Sequence, residues 1–183
     1  LHGMFDIAAP LLEHLAGLPR LAEETVLVSC GDVIDRGPRS LDLVELVLRQ
    51  GENFDDLILL CGNHEIMALD AFWQDGIHQG ELFDEEDFRN WMHWGGESIY
   101  DEVSPDGRMN WRDMAMATKA RLDGYLLQVG NRRAPFHEEG DLMFIHAGVA
   151  PDRWFDACLA LGPQDRVAHG AHWAWMRGPA FED

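Results

Sequence analysis

Three apolar runs in this chain each end in a cluster of polar, ligand-type residues, and no other feature constrains the fold as strongly. "TVLVSC" (25–30) leads into Gly31-Asp32 and then Asp35-Arg36-Gly37. "DLILLC" (56–61) leads into Gly62-Asn63-His64-Glu65. "DLMFI" (141–145) leads into His146-Ala147-Gly148. Short apolar runs of this kind read as buried strands, and the first suits a strand covered on both faces. In open α/β sheets, sites form beyond the carboxyl ends of the strands. Strands sharing one sheet would therefore bring the three clusters to a single edge. His2-Gly3 stands apart, just ahead of the first helical segment.

Helical spacing fills the intervals. Residues 6–18 carry apolar residues at helical period, with Gly17 and Pro19 as stops. Residues 40–51 predict a helix with Ser40 as its N-cap and Gly51 at its end. Further helices are expected over 64–72, 85–94 and 110–128, and a hairpin over 133–139 and 141–148 with its turn at Gly140. Strand, helix, strand, helix is the order of an α/β fold with parallel strands. Segment 74–130 reads as a helical insertion or cap. No linker divides the chain, so residues 1–183 are expected to form one domain.

Charge and composition exclude several classes of partner. The net charge of −19 opposes a nucleic-acid partner, because phosphate backbones need a basic footprint. No apolar run approaches the roughly 20 residues of a membrane helix, so no membrane partner is expected. Cys30, Cys61 and Cys158 form no CxxC pair, which argues against a disulfide framework and for a reducing, cytoplasmic compartment. Cys30 and Cys61 close apolar runs and are expected to be buried small hydrophobes. Trp91 and Trp94 are spaced i, i+3 on one helix face and could cover a cleft. Packing is their expected role, and stacking on a nucleobase the alternative.

The residue types at the strand ends suit a hard-cation site. Aspartate and asparagine oxygens with histidine nitrogens fit Mn²⁺, Fe or Zn²⁺, and the absence of clustered cysteines argues against a structural zinc. One carboxylate can bridge two metals roughly 3.5–4 Å apart. Arg36 offers a planar fork that pairs two phosphate oxygens. Each piece alone has a blander reading: an ion-paired turn for Asp32, Asp35 and Arg36, a capped turn at Asn63, a satisfied core histidine at His146. His14, His78, His93, His137, His169 and His172 have no ligand spacing with the rest and are expected to be structural.

"GDVIDRG", "GNHE" and "HAG", in that order, resemble the calcineurin-like metallophosphoesterases. More narrowly they resemble the phosphoprotein phosphatase branch, which includes bacterial and phage Ser/Thr phosphatases and the symmetrical dinucleoside tetraphosphatases. The likeness spans residues 1 to about 151. It implies a β-sandwich core flanked by helices, and two divalent metal ions, Mn²⁺ first with Fe or Zn²⁺ as alternatives. His2 would bind the first metal, Asp32 would bridge both, and Asn63 and His146 would bind the second. His64 would be the general acid, oriented by Asp35. Arg36 would hold the phosphate, with Arg177 as a second phosphate arginine. The nucleophile would be a metal-bound hydroxide, without a covalent enzyme intermediate. The family's first motif is GDxHG, and Leu1-His2-Gly3 matches only its end. Neither His169 nor His172 follows a glycine, so the family's late Gly-His pair is unmatched. The domain is therefore expected to lack its first strand and its C-terminal Gly-His segment.

The function these residues imply is hydrolysis of phosphomonoesters, on a phosphoprotein or a small phosphorylated substrate. Phosphoserine and phosphothreonine are favoured by Asp35 and Glu65, since the dinucleoside tetraphosphatases often carry Asn and Asp at those places. The alternative, a dinucleoside polyphosphate hydrolase, is favoured by "RGPRSLDLVELV" and the Trp-rich cap. A non-catalytic binding module on the same fold is the third reading.

Overall fold

A computed structural model describes residues 1–72, 85–131 and 136–148. Strand β1 (Val26–Ser29) and strand β2 (Asp56–Leu59) pair in parallel, with Val26 opposite Asp56 and Ser29 opposite Leu59. Parallel pairing requires a crossover, and helix α2 (Ser40–Gly51) supplies it with Leu41, Leu43, Val44, Leu46 and Val47 all buried. The start of the pair is fastened by Asp55. Its carboxylate accepts from the Thr25 N–H at 2.8 Å, the Thr25 hydroxyl at 3.0 Å and the Arg20 guanidinium at 3.1 Å. Both strands end at the same edge, as their apolar runs led us to expect.

The third apolar run becomes strand β4 (Leu142–Ile145), antiparallel to β3 (Phe136–Glu139) around a turn at Gly140, φ +57°. His146 follows β4 directly, and its Nδ1–H donates to the Cys30 carbonyl at 2.7 Å, docking the hairpin's end on the end of β1. The fold is thus mixed helix and strand, and the three strand ends converge. Among the described residues the strands make two separate two-stranded sheets rather than the larger sheets of a sandwich. Two strands are too narrow to hide a face, so β1 is half-buried along its length instead of covered on both sides.

Helix α1 (Phe5–Ala16) packs on α2, and α3 (Asn63–Phe72) packs on α4 (Glu85–Trp91). The long helix α6 (Trp111–Asn131) lies against α2, α3 and α5 (Glu97–Val103). Its buried apolar positions, Met114, Ala115, Leu122, Tyr125, Leu126 and Val129, with Thr118 and Lys119 between them, recur at i+3 and i+4 along one stripe. Burying each large apolar side chain there is worth about 1.5–3 kcal/mol. No helix among the described residues is long and apolar enough to cross a membrane.

Three local expectations are corrected. The helix expected over 85–94 stops at Trp91 and passes through a π-helical turn, Met92–Gly96, with Gly95 at φ +131°. The wider turn rotates the following residues, so Trp91 is fully buried while Trp94 is 60% exposed, and the two share no face. Ser40 does not cap α2. Its hydroxyl accepts the Asp35 N–H at 2.9 Å, and the N–H groups of Ser40 and Leu41 go to the Glu102 carboxylate on α5 at 2.7 and 3.0 Å. A distant acidic residue at the positive end of the helix thereby replaces a local cap. Cys30 is exposed, because β1 ends before it at an open loop, whereas Cys61 is buried as expected.

Candidate active site

The loop after β1 is bent through left-handed backbone at three non-glycine residues, Asp32 (φ +51°), Asp35 (φ +73°) and Arg36 (φ +63°), and His2 beside it is a fourth (φ +47°). Such conformations cost on the order of 1–3 kcal/mol each and persist where the surroundings over-determine them. Here the restraints are visible. The His2 and Gly3 N–H groups donate to the carbonyls of Asp32 and Val33 at 2.7 and 2.8 Å, and the Arg36 N–H donates to the Gly95 carbonyl at 3.0 Å. Gly62, in the loop after β2, must lack a side chain, because a Cβ there would run into the Asp32 carboxylate and come 2.6 Å from the Asp32 nitrogen.

Asp32 is the centre of the site. Its Oδ2 lies 3.3 Å from His2 Nε2 and 3.4 Å from His146 Nε2. His146 Nε2 also lies 3.3 Å from Asn63 Oδ1. The second nitrogen of each imidazole is committed elsewhere: His2 Nδ1–H to the Ile34 carbonyl at 3.3 Å, His146 Nδ1–H to Cys30. Each neutral ring therefore turns an Nε2 lone pair toward the Asp32 carboxylate, with Arg36 as a neighbouring donor to His2, and these are atoms that a cation can join. Burial lowers the pKa of His2 and so favours its neutral, ligating form. For His146 burial acts the same way, but the hydrogen bond and charge of Asp32 outweigh it and raise the pKa. A proton on His146 and a metal between these atoms answer the same electrostatic need. Burial alone would raise the Asp32 carboxyl, yet the hydrogen bond and charge of His146, with the His64 N–H behind them, hold it at about 2. A permanently ionised carboxylate flanked by imidazole lone pairs fits divalent cations.

Next to this cluster sits a buried pair. His64 Nδ1 lies 2.7 Å from Asp35 Oδ2, and both residues are 0% exposed. The same Asp35 oxygen accepts the Trp91 Nε1–H at 2.7 Å. Burial pushes the Asp35 carboxyl up to about 6, against the opposing hydrogen bonds from His64 and Trp91. His64 Nε2 is buried with no hydrogen-bond partner among the described residues. One ligand nitrogen of His64 falls within 4.8 Å of ligand atoms on His2 and Asp32, which are themselves that close to each other. Its Nδ1 is taken by Asp35, so Nε2 is the atom left for chemistry at the centre.

Arg36 completes the group. Its Nη1 donates to His2 Nε2 at 3.3 Å. Beside it opens a cavity of about 930 Å³ whose walls include Met92, Tyr100, Trp111, Glu97 and Asp101. His2, Asp32, Asp35, Arg36, Asn63, His64 and His146 are thus brought together, while Arg177 lies outside the described residues. Three contributors have structural roles that the motifs did not indicate, although Glu65 itself closes the second motif. Glu65 accepts the N–H groups of Asp32 and Gly62 at 2.7 and 2.9 Å, Tyr125 donates its hydroxyl to Glu65 at 3.0 Å, and Trp91 reaches Asp35 from 56 residues away. The presence of Glu65 in the motif and the burial of Tyr125 and Trp91 were open to reading, but the contacts they make were not.

Comparisons with known proteins identify the family. The calcineurin-like phosphoesterase family matches residues 1–175. Serine/threonine-protein phosphatase 2 of Salmonella typhimurium strain LT2 is 33% identical over 122 residues, which are 66% of this chain and 46% of that protein. Serine/threonine-protein phosphatase 2 of Escherichia coli strain K12 is 33% identical over 101 residues, 55% of this chain and 38% of that protein. The chain therefore spans less than half the length of these relatives. No solved structure matches it. With the family matched over residues 1–175, the chain belongs to the calcineurin-like phosphoesterases.

Proposed function

We propose that this chain carries the catalytic centre of a metal-dependent phosphatase acting on phosphomonoesters, with phosphoserine and phosphothreonine in proteins as its substrates. The observation that carries the reading is the convergence of His2 Nε2 and His146 Nε2 on one oxygen of Asp32, with Arg36 and the His64–Asp35 pair alongside. His2 and Asp32 would hold one divalent cation, and Asp32, Asn63 and His146 a second, with Mn²⁺ as the first choice. Cations held there supply Lewis-acid charge toward phosphoryl oxygens and make water acidic enough to act near neutral pH.

The chain's own residues do the rest. The Arg36 guanidinium pairs phosphoryl oxygens through its planar fork of N–H donors. His64 donates the proton on Nε2 to the departing alcohol oxygen while its Nδ1–H stays on Asp35. Asp35 keeps that ring in one orientation. The 33% identity to the two bacterial phosphatases favours a protein substrate. A dinucleoside polyphosphate is the second reading, because Tyr100 and Trp111 line the cavity beside Arg36 and offer rings for a base. The sparse cysteines, with no CxxC pair among them, favour a reducing, cytoplasmic setting.

The test is hydrolysis of p-nitrophenyl phosphate with Mn²⁺ and with a chelator, followed by competition from a phosphothreonine peptide and from diadenosine tetraphosphate. Chelator-sensitive turnover inhibited by the peptide is expected. Inhibition by the dinucleotide alone would favour the second reading, and no turnover at all would leave the non-catalytic binding module.

A further inference from the structure

Asp35 is fastened through one oxygen only. Its Oδ2 lies 2.7 Å from both His64 Nδ1 and Trp91 Nε1, while its Oδ1 is buried without a hydrogen-bond partner among the described residues. Trp91 is itself fixed. It is 0% exposed at the end of α4, edge-on to Phe72 and Phe88 with ring centroids 5.7 and 5.8 Å away. Four residues later the chain grips the same loop again, where the Gly95 carbonyl accepts the Arg36 N–H at 3.0 Å. The helical segment thus holds two neighbouring residues of the site at once.

We propose that Trp91 is a positioning residue whose indole N–H holds the Asp35 carboxylate in place, so that His64 presents Nε2 to the leaving-group oxygen. This rests on the reading of His64 as the proton donor. A carboxylate held only by the imidazole it is meant to orient can turn together with that imidazole. A second donor on a rigid, buried ring removes that freedom. Packing alone would ask only for an aromatic ring of this size. The aimed Nε1–H is the additional feature.

The experiment compares the wild-type chain with Trp91→Phe, and with Trp91 replaced by benzothienylalanine, which keeps the shape and lacks the N–H. Two substrates are used with Mn²⁺: phenyl phosphate, whose leaving group needs a proton, and p-nitrophenyl phosphate, whose leaving group needs little. The expected result is a kcat for phenyl phosphate lowered roughly tenfold or more, p-nitrophenyl phosphate within about threefold, and KM unchanged for both. Equal loss on both substrates, or loss on neither, overturns the proposal. The benzothienyl variant serves if Trp91→Phe fails to fold. A second readout needs no turnover: the proton resonance of His64 Nδ1–H should shift or broaden in the folded variants, and an unchanged resonance also overturns the proposal. If the wild-type chain hydrolyses neither ester, the phosphatase reading fails by itself, and the His64 resonance still decides whether Trp91 positions the pair.

Discussion

Glu65 accepts the backbone N–H of Asp32 at 2.7 Å, and through the same oxygen it accepts the Gly62 N–H at 2.9 Å. Its other oxygen takes the Val33 N–H at 2.9 Å and the Tyr125 hydroxyl at 3.0 Å. A single buried carboxylate therefore ties the loop after β1 to the loop after β2. Burial and the charge of Glu65 push the Tyr125 hydroxyl well above its usual range, so it remains a donor. The left-handed turn at Asp32 is stable because Glu65 answers the N–H groups that the turn exposes.

Glu65→Gln tests that tie. Glutamine keeps the volume but offers one acceptor oxygen, and it turns an NH₂ toward backbone donors. The expected loss of stability is about 2–4 kcal/mol, the cost of leaving buried donors unpaired. Mn²⁺ affinity should fall about 10–100-fold, as when residues that orient metal ligands are removed. Urea unfolding and calorimetric titration measure the two effects. Wild-type stability in the variant would mean that the loops hold their shape without Glu65.

Asp32→Asn should leave the fold intact and remove turnover. The substitution preserves shape but takes away the charge that His2 and His146 face. A separate signature follows from the pKa of His146, which burial lowers and the hydrogen bond and charge of Asp32 raise to a net increase. Without the carboxylate, burial is unopposed from that side, so the His146 pKa should drop in the variant. An NMR titration in chelator reads it, and an unmoved His146 would detach the ring from Asp32.

Much of this site was legible in the sequence because it depends on local order. Residues that follow an apolar run directly, such as Asp32, Asn63 and His146, must lie at a strand's end wherever the strand lies. The parallel pairing of β1 with β2 and the hairpin turn at Gly140 followed from the same runs. What escaped reading depends on contacts between distant segments. Ser40 has the chemistry of an N-cap, but Asp35 competes for its hydroxyl, and Glu102, 62 residues on, takes the cap. Trp94 looked like a partner of Trp91 because their spacing assumes a regular helix, and the π-turn at Met92–Gly96 breaks that assumption. Glu65 sits in plain view in the second motif, yet its role as a brace appears only when the first loop is folded over it.

Stability should depend on pH through Asp35. Burial, against the hydrogen bonds of His64 and Trp91, raises its carboxyl from 3.8 to about 6. A folded-state pKa above the unfolded value means that the native chain holds the proton more tightly. The stabilisation is complete below about pH 4 and is lost as pH rises through about 6, on the order of 3 kcal/mol in all. Asp35→Asn removes the titration. The stability of the wild type relative to this variant should therefore decline between about pH 4 and pH 7, measured by urea unfolding in chelator at fixed salt. A constant difference across that range would show that Asp35 does not gain its proton on folding.

Arg36→Lys separates charge from geometry at the phosphate. The backbone of Arg36 is held at φ +63° by its N–H to the Gly95 carbonyl, a bond independent of the side chain. Lysine also has the Cγ that sits where Gly95 leaves room, 3.0 Å from the position of a Cβ. Stability should accordingly stay within about 0.5 kcal/mol of wild type. The positive charge is retained, but the planar fork that could pair two phosphoryl oxygens is lost. Losing a charge-assisted hydrogen bond is worth about 1.5–3 kcal/mol, or roughly 10–100-fold in kcat/KM. Inorganic phosphate should weaken as a competitive inhibitor by a similar factor, since it meets the same fork. If kcat/KM falls while phosphate inhibition is unchanged, Arg36 acts on the transition state alone. If neither moves, the phosphoryl group lies away from Arg36, and the cavity beside Tyr100 and Trp111 loses its link to the cluster around Asp32.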